Sequence, residues 1–198
     1  MNTFYGAEQA AIHHGAFGGR AADAAALLIE RLGVAGLSEG RVTDLGCGSG
    51  ILAAALLQAG YAVDPRAGLD ALTSVAARAF DALAPGGVFA FDISTPGRNL
   101  GSDVRHVFHD RDTWSLGMHA TETDHRLERR IVILSRETNG RYRRVDEHYE
   151  LVLYDVDAVT DALETVGFGA EVRPSFTQAT ASQPPSGWAV FVGTKPRD

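Results

Sequence analysis

The stretch Asp44-Leu45-Gly46-Cys47-Gly48-Ser49-Gly50 carries the strongest structural signal in the chain. It continues Arg41-Val42-Thr43, which has the composition of a short buried strand, and it precedes Ile51 to Ala59, which is apolar nearly all round. A helix of that kind is typical of one buried against a sheet. Strand, glycine turn and buried helix together predict the opening of a βαβ unit.

Two common glycine-rich nucleotide-binding turns do not fit this spacing. The dinucleotide fingerprint G-x-G-x-x-G needs its third glycine three positions after the second, whereas here Gly48 is followed two positions later by Gly50. A P-loop ends in Gly-Lys-Ser/Thr, and no lysine lies near this turn. A nicotinamide-dependent oxidoreductase and a P-loop enzyme are therefore disfavoured.

The turn resembles, almost letter for letter, the first motif of class I S-adenosylmethionine-dependent methyltransferases, with an acidic residue two places before the first glycine. By this resemblance, Asp44 would face the ammonium group of the cofactor's methionine part. The turn would bring the N-terminus of the next helix, with its free N–H groups, to the cofactor's carboxylate. The resemblance implies S-adenosylmethionine as cofactor and S-adenosylhomocysteine as product. The turn residues implied in binding are Gly46, Cys47, Gly48, Ser49 and Gly50.

Other parts of the chain resemble the same family. Leu83-Ala84-Pro85-Gly86-Gly87-Val88 is similar to the turn into the family's fifth strand. Residues 5–18 resemble the N-terminal capping helix of members that act on small molecules, which implies that Tyr5 lines the cofactor pocket. Alternating apolar stretches at 105–154, with Asn139-Gly140 as a hairpin turn signal, predict an antiparallel meander. That meander is similar to the lid inserted in such enzymes.

The predicted fold is a single α/β domain over 1–198. It has a Rossmann-like methyltransferase sheet, an antiparallel edge hairpin at the C-terminal end, and an inserted antiparallel β-meander lid at 105–154. Helices are predicted at 21–32, closed by Gly33, and at 156–166, closed by Gly167. The edge hairpin is predicted from strands near 170–176 and 188–194.

The chain departs from the family after its second strand. Only a loop fits between Val63 and Leu69, whereas two further strands with their helices need roughly 50 residues. Three explanations stay open. The two strands and their helices are deleted, or the sequence omits a segment that contains them between Val63 and Asp64. In the third, Asp64 is itself the ribose-binding acid of a shortened second strand. Asp64 lies 20 residues after Asp44, about the separation that nucleotide binding requires. A real deletion would open an edge of the first strand and predicts a homodimer.

A base that removes the acceptor's proton would assist methyl transfer to an amine or hydroxyl, and histidine suits that role near neutral pH. The candidates are His13 and His14, although a surface or helix-end position is the commoner role for such a histidine pair. His106 and His109 stand three apart, so in a strand they point to opposite faces. We therefore predict no metal site.

Composition disfavours several classes of function. The 198 residues carry a formal net charge of -7, whereas nucleic-acid-binding domains are normally basic. The arginines between Arg126 and Arg144 are interleaved with acids, which predicts a solvated strand face. No apolar run reaches the ~18 residues of a membrane span, and the start of the chain lacks signal-peptide features. A single cysteine fits a reducing compartment. We expect a cytoplasmic protein without nucleic-acid or membrane partners.

Two hypotheses about function follow. The first is S-adenosylmethionine-dependent methyl transfer to a nitrogen or oxygen atom of a small-molecule acceptor beneath the β-lid. The alternative is a truncated, non-catalytic relative that acts as a dimerising or binding scaffold. The alternative arises because the absent segment carries the ribose and adenine contacts in the family.

Overall fold

The computed structural model describes residues 12, 18–45, 51–66, 72–99, 104–123, 125–178 and 186–197. Within these ranges the helices are α1 Gly19–Val34, α2 Ile51–Gln58, α3 Leu72–Ala82 and α4 Val156–Val166. The strands are β1 Arg41–Leu45, β2 Ala62–Arg66, β3 Val88–Ile93, β4 Val104–Asp110, β5 Trp114–Thr123, β6 Arg126–Arg136, β7 Tyr142–Val152, β8 Gly169–Arg173 and β9 Ala189–Thr194.

Five strands form two small sheets of the α/β part. β1 and β2 pair in parallel and are connected through α2, which is the predicted βαβ opening. β3, β9 and β8 form an antiparallel sheet with β9 in the centre. The β8–β9 pair is the antiparallel hairpin predicted for the end of the chain.

The main core lies between the β3–β9–β8 sheet and helices α3 and α4. Val159 and Leu163 of α4 and Phe191 of β9 belong to one buried cluster. Phe80 of α3 meets Phe168 edge to face, with ring centroids 5.0 Å apart. Burying each large apolar side chain contributes roughly 1.5–3 kcal/mol, so this cluster stabilises the sheet that contains β3.

Helix α1 joins the two small sheets. On one side Leu27 packs with Val190 and Val192 of β9. Further along the helix, Leu32 packs with Leu56 of α2 and with Tyr61, which follows α2. Val88, the first residue of β3, contacts both clusters. Among the described residues no backbone ladder joins the β1–β2 pair to β3. The two sheets are therefore held together by side-chain packing on α1.

The end of α1 corrects one prediction. Gly33 was predicted to close the helix, but it is helical, and the left-handed residue is Gly36 with φ 68°. The N–H of Gly36 donates to Gly33 O at 2.9 Å, and that of Leu37 donates to Leu32 O at 2.8 Å. This is a Schellman closure, which is frequently accompanied by a contact between an apolar residue after the glycine and the last turn. Leu37 supplies that contact by packing with Leu32.

Strands β4 to β7 form a four-stranded antiparallel sheet in sequence order, as the alternating pattern predicted. Its β6–β7 turn contains Asn139-Gly140, where the Gly140 N–H donates to Glu137 O at 2.9 Å. One face, here called the inner face, buries Leu116, Ile131 and Ile133 together with Ile12 from the N-terminal segment. The opposite, outer face leaves Phe108 71% exposed. The two faces therefore meet different environments.

Candidate active site

The predicted cofactor turn falls between two described elements. β1 ends at Leu45 with Asp44 as its penultimate residue, and α2 begins at Ile51. The strand and the helix that the motif needs are thus both present, separated by the five turn residues. Several predicted site residues lie outside the described residues: Tyr5, His13, His14, Gly46, Cys47, Gly48, Ser49 and Gly50.

Asp64 lies on β2, directly beside β1. It pairs with Thr43, and Asp44 pairs with Pro65, so the backbones of the two predicted cofactor acids run side by side. β2 passes through Val63 and Asp64 in one continuous parallel register and ends two residues later, at Arg66. This placement fits a ribose-binding acid on the strand next to the glycine turn. The role of Asp64 stays a prediction.

Asp92 is a charged residue near the end of the otherwise apolar strand β3. Part of the Asp92 side chain is exposed to water. Protein atoms around its carboxyl group nevertheless remove some of the water, and this desolvation raises its pKa from the usual 3.8 to about 6. Arg20, a backbone hydrogen bond and Arg98 act in the opposite direction. A carboxyl group with such a pKa exchanges protons readily near neutrality, which is the behaviour expected of an active-site acid or base.

Two arginines near Asp92 contact the same aromatic ring, that of Trp188. The Cζ atom of Arg20, in the first turn of α1, lies 4.6 Å from the ring centroid of Trp188, and that of Arg98 lies 5.0 Å from it. Arg98 Nη1 also donates a hydrogen bond to Gly187 O at 3.3 Å. Cation–π contacts of this kind restrict the guanidinium planes.

The turn that carries Arg98 is fixed to the meander by Glu122. Glu122 Oε1 accepts a hydrogen bond from the Gly97 N–H at 2.6 Å, and Oε2 accepts one from the Asn99 N–H at 2.8 Å. The Asn99 side-chain amide donates to Ala120 O at 3.3 Å. Both carboxylate oxygens of Glu122 and the side-chain amide of Asn99 thus form hydrogen bonds between the turn and β5. These bonds position the inner face of the meander relative to the end of β3.

Two further arginines lie on the inner face of the meander. Arg105 on β4 and Arg129 on β6 both pair with Ala120 on β5, so the three residues form one row across the sheet. The prediction that the arginines between Arg126 and Arg144 lie on a solvated strand face is correct for the outer face, where three of them have carboxylate partners. Those pairs are Arg126–Glu150, Arg130–Glu128 and Arg144–Asp146. The prediction was wrong for Arg129, because strand alternation turns it inward.

The histidines of the meander follow strand alternation. His106 is exposed and His109 is half-buried, on opposite faces of β4. The ring of His106 instead faces that of His119 across the β4–β5 pair, with centroids 4.9 Å apart. In the part of the chain that the structure describes, no three His, Cys, Asp or Glu side chains are grouped so that they could hold a metal ion.

Asp92, Arg20, Arg98 and Trp188 were not predicted as site residues. They come from three separate segments, the start of α1, the end of β3 with its following turn, and the residue before β9, which meet only in the folded chain. One signal was available in the sequence: Asp92 interrupts the apolar run Val88-Phe89-Ala90-Phe91 that follows the Pro-Gly-Gly turn. A charged residue near the end of a buried strand is a typical position for a functional side chain, since ligands bind at the carboxyl ends of such strands.

Comparisons with known proteins bear on the family and the fold of the chain. Residues 9–91 match the family model described as methyltransferase small domain. An S-adenosylmethionine-dependent methyltransferase from Clostridium acetobutylicum has a TM-score of 0.78 at 13% identity, over 96% of this chain and 98% of that one. CalS10, an amino pentose methyltransferase from Micromonospora echinaspora solved with bound S-adenosylmethionine, has a TM-score of 0.72 at 16% identity, over 98% and 99%. A search of curated proteins found no match.

A third similar structure is the sugar N-methyltransferase KedS8 from Streptoalloteichus, with a TM-score of 0.64 at 17% identity, over 100% of this chain and 94% of that one. The chain therefore has the Rossmann-like fold of class I S-adenosylmethionine-dependent methyltransferases. The resemblance drawn from the glycine motif is confirmed, and S-adenosylmethionine is the cofactor of this class. No helix among the described residues is long and apolar enough to cross a membrane.

Proposed function

We propose that this protein transfers the methyl group of S-adenosylmethionine to a nitrogen or oxygen atom of a small molecule. The acceptor would lie between the end of β3 and the inner face of the meander, which then serves as the lid. The observation that supports this most directly is the position of Asp92 near the carboxyl end of β3, close enough to Arg20 and Arg98 for their charges to lower its pKa. We also propose that the protein works in the cytoplasm.

The proposed cofactor site is formed by the end of β1, the glycine turn and β2. Asp44 would take the ammonium group, the turn from Gly46 to Gly50 the carboxylate, and Asp64 the ribose hydroxyls. Tyr5 would cover the cofactor from the N-terminal segment. The parallel register that sets Asp64 beside Thr43 supports this assignment, because it brings β2 next to the strand that leads into the turn.

S-adenosylmethionine, when bound, supplies an already activated methyl group for in-line displacement. The protein's part is therefore to orient the acceptor, exclude water and remove a proton. Asp92 is charged at neutral pH and, with a pKa of about 6, can accept a proton from an ammonium or hydroxyl group. His13 and His14 are the other proposed bases.

Similar structures suggest which acceptors to test first. CalS10 is described as an amino pentose methyltransferase and KedS8 as a sugar N-methyltransferase. A shared fold at this identity does not carry the substrate over, since one fold serves many chemistries. It does make amino sugars a reasonable first panel, and their ammonium group would complement the carboxylate of Asp92.

The scaffold alternative keeps one specific observation in its favour. The β1–β2 pair has no backbone ladder with β3 among the described residues, so the sheet is divided where a methyltransferase sheet is continuous. We propose that a second copy of the chain covers this division in a homodimer. Under the alternative the dimer itself would be the functional form.

Transfer of a trideuteromethyl group from labelled S-adenosylmethionine tests the proposal. The wild-type chain, Asp92→Asn and the exposed control Asp161→Asn are incubated with amino sugars and hydroxylated analogues, and products are identified by mass spectrometry. We expect labelled product with the wild type and the control and at least tenfold less with Asp92→Asn, within the range that a base contributes. A folded chain that neither binds the cofactor nor labels any acceptor would support the scaffold alternative.

A further inference from the structure

Positive charge accumulates around the end of β3. Arg98 is half-buried, and burial is the main cause that lowers its pKa from 12.5 to about 10. Arg129, Arg20 and Arg105 each lower it further, in that order, while Asp92 raises it. The positive charges of these three arginines thus disfavour the charged form of Arg98. Such repulsion is relieved when an anion binds among them.

Three arginines of this cluster have no carboxylate in ion-pair contact among the described residues. No carboxylate oxygen lies within the 4.0 Å of an ion pair from Arg20, Arg98 or Arg105 in the described ranges. Glu122, the acid next to the turn, has both oxygens occupied by backbone N–H groups. On the outer face of the same meander, by contrast, Arg126, Arg130 and Arg144 each have an acid partner.

The guanidinium groups are also held in place before any ligand arrives. Arg20 and Arg98 lie against the ring of Trp188, and Arg98 uses Nη1 for its bond to Gly187 O. A guanidinium group has five N–H donors in a planar fork, so Arg98 keeps further donors for a ligand. Planar forks of this kind suit two oxygens of a carboxylate or phosphate.

We infer that the acceptor carries a carboxylate or phosphate group and that Arg20, Arg98 and Arg105 bind it, with Arg129 adding to the positive field. This inference rests on the proposed function, because it names the substrate class of the same site. The anionic group would be anchored at Trp188 and the meander, and the methyl-accepting atom would be directed toward Asp92. One acceptor would then satisfy both the arginines and the acid.

The test uses inorganic phosphate and acetate as probes on the full chain. Thermal unfolding is followed as each anion replaces chloride at constant ionic strength, and binding is measured by calorimetry. The variants are Arg98→Gln, Arg98→Lys and the control Arg136→Gln, which removes an exposed arginine at the outer end of β6. S-adenosylhomocysteine binding is measured in parallel for every variant.

We expect saturable stabilisation of the wild type and of Arg136→Gln. Arg98→Gln should bind the probe about tenfold or more weakly, since a charge-assisted hydrogen bond contributes about 1.5–3 kcal/mol, and Arg98→Lys should recover part of it. Phosphate alone would indicate a phosphorylated acceptor, and stabilisation by acetate as well would indicate a carboxylate.

Stabilisation no greater than with chloride, or an equal loss in Arg136→Gln, would overturn the inference. Cofactor binding separates this failure from that of the proposed function. A chain that binds S-adenosylhomocysteine but neither anion has the function without the anion site. A chain that binds the anion at Arg98 but not the cofactor has the site without the function.

Discussion

Glu122 on β5 accepts a hydrogen bond from the backbone N–H of Gly97, with 2.6 Å between Oε1 and the nitrogen. Its other oxygen accepts a hydrogen bond from the Asn99 N–H. One side chain of the meander thus fixes the turn that follows β3, and this turn carries Arg98 to Trp188. The geometry of the candidate site depends on this contact between two parts of the fold.

Replacing Glu122 with glutamine should loosen that contact. An amide NH₂ group cannot accept a hydrogen bond, so one of the two backbone N–H groups would lose its partner. Because hydrogen bonds to charged groups contribute about 1.5–3 kcal/mol, we expect a loss of that order in the free energy of unfolding measured with urea. The control Glu150→Gln breaks the exposed pair with Arg126 and should cost under about 1 kcal/mol. Equal losses would show that the turn is held by other contacts.

Two glycines with the same backbone conformation should respond differently to substitution by alanine. Gly187 has φ 78°, and a Cβ there would lie 2.9 Å from Gly97 O and 3.0 Å from Arg98 Cα. Gly140 has φ 81° but has no atom within 4 Å of such a Cβ. Gly140→Ala should therefore cost only the left-handed penalty of about 1–2 kcal/mol. Gly187→Ala should cost clearly more, as measured by chemical denaturation, because it meets backbone atoms.

Comparable losses from the two glycine variants would contradict the close packing of these turns. The same packing also leads to a second expectation for Gly187→Ala. The variant should displace Trp188, whose fluorescence can be isolated in a Trp114→Phe background because the chain has two tryptophans.

Much of the fold could be predicted because short local sequence patterns determine where its helices and strands begin and end. The glycine closing α4 is one example: Gly167 is left-handed and the following Phe168 donates to Leu163 O at 3.1 Å, as the apolar run ending in glycine indicates. The error at Gly33 shows the limit of that rule. A glycine ends a helix where the next residue can pack back on the last turn, and Leu37 fulfils this condition after Gly36.

The candidate site was less accessible to sequence reasoning. The cofactor role of the glycine turn was predicted from its resemblance to a family motif and that of Asp64 from its spacing, and both roles stay predictions. Arg20, Asp92 and Trp188 lie far apart in the chain, and no local sequence pattern indicates that they come together in the fold. Strand alternation places Arg129 on the inner face, but which face is covered depends on packing against Ile12.

Asp92 should make stability fall as pH rises. Its pKa in the folded chain is about 6, above the usual 3.8, so the folded state binds the proton more tightly than the unfolded state. The resulting stabilisation is complete below about pH 3.8 and is lost as pH rises through about 6. We expect Asp92→Asn to gain melting temperature relative to the wild type between pH 4 and pH 7.5. Asp161→Asn, an exposed control, should show no such trend.

Carboxyl-carbon NMR provides the direct measurement for Asp92. The wild type should titrate near pH 6, and Arg20→Gln should titrate higher, because Arg20 is the largest of the effects that lower this pKa. A titration near pH 4 in the wild type would refute the crowded environment described for this carboxyl group.

The divided sheet leads to a prediction about assembly. β1 pairs with β2 and β3 pairs with β9, so among the described residues one side of β1 and one side of β3 have no strand partner. Unpaired strand edges favour pairing with another chain. Light scattering coupled to size exclusion should give twice the mass of the chain over a range of concentrations. A stable monomer would contradict the proposed homodimer.

The central claim is that this chain binds the cofactor of its fold class despite the short connection after β2. Calorimetric titration with S-adenosylhomocysteine tests it most directly, using the wild type, Asp44→Asn and the exposed control Asp161→Asn. The account predicts micromolar binding at one site per chain for the wild type and the control, and at least about tenfold weaker binding for Asp44→Asn, whose charge would face the ligand's ammonium group. No binding at millimolar ligand, by a chain shown to be folded, would contradict it.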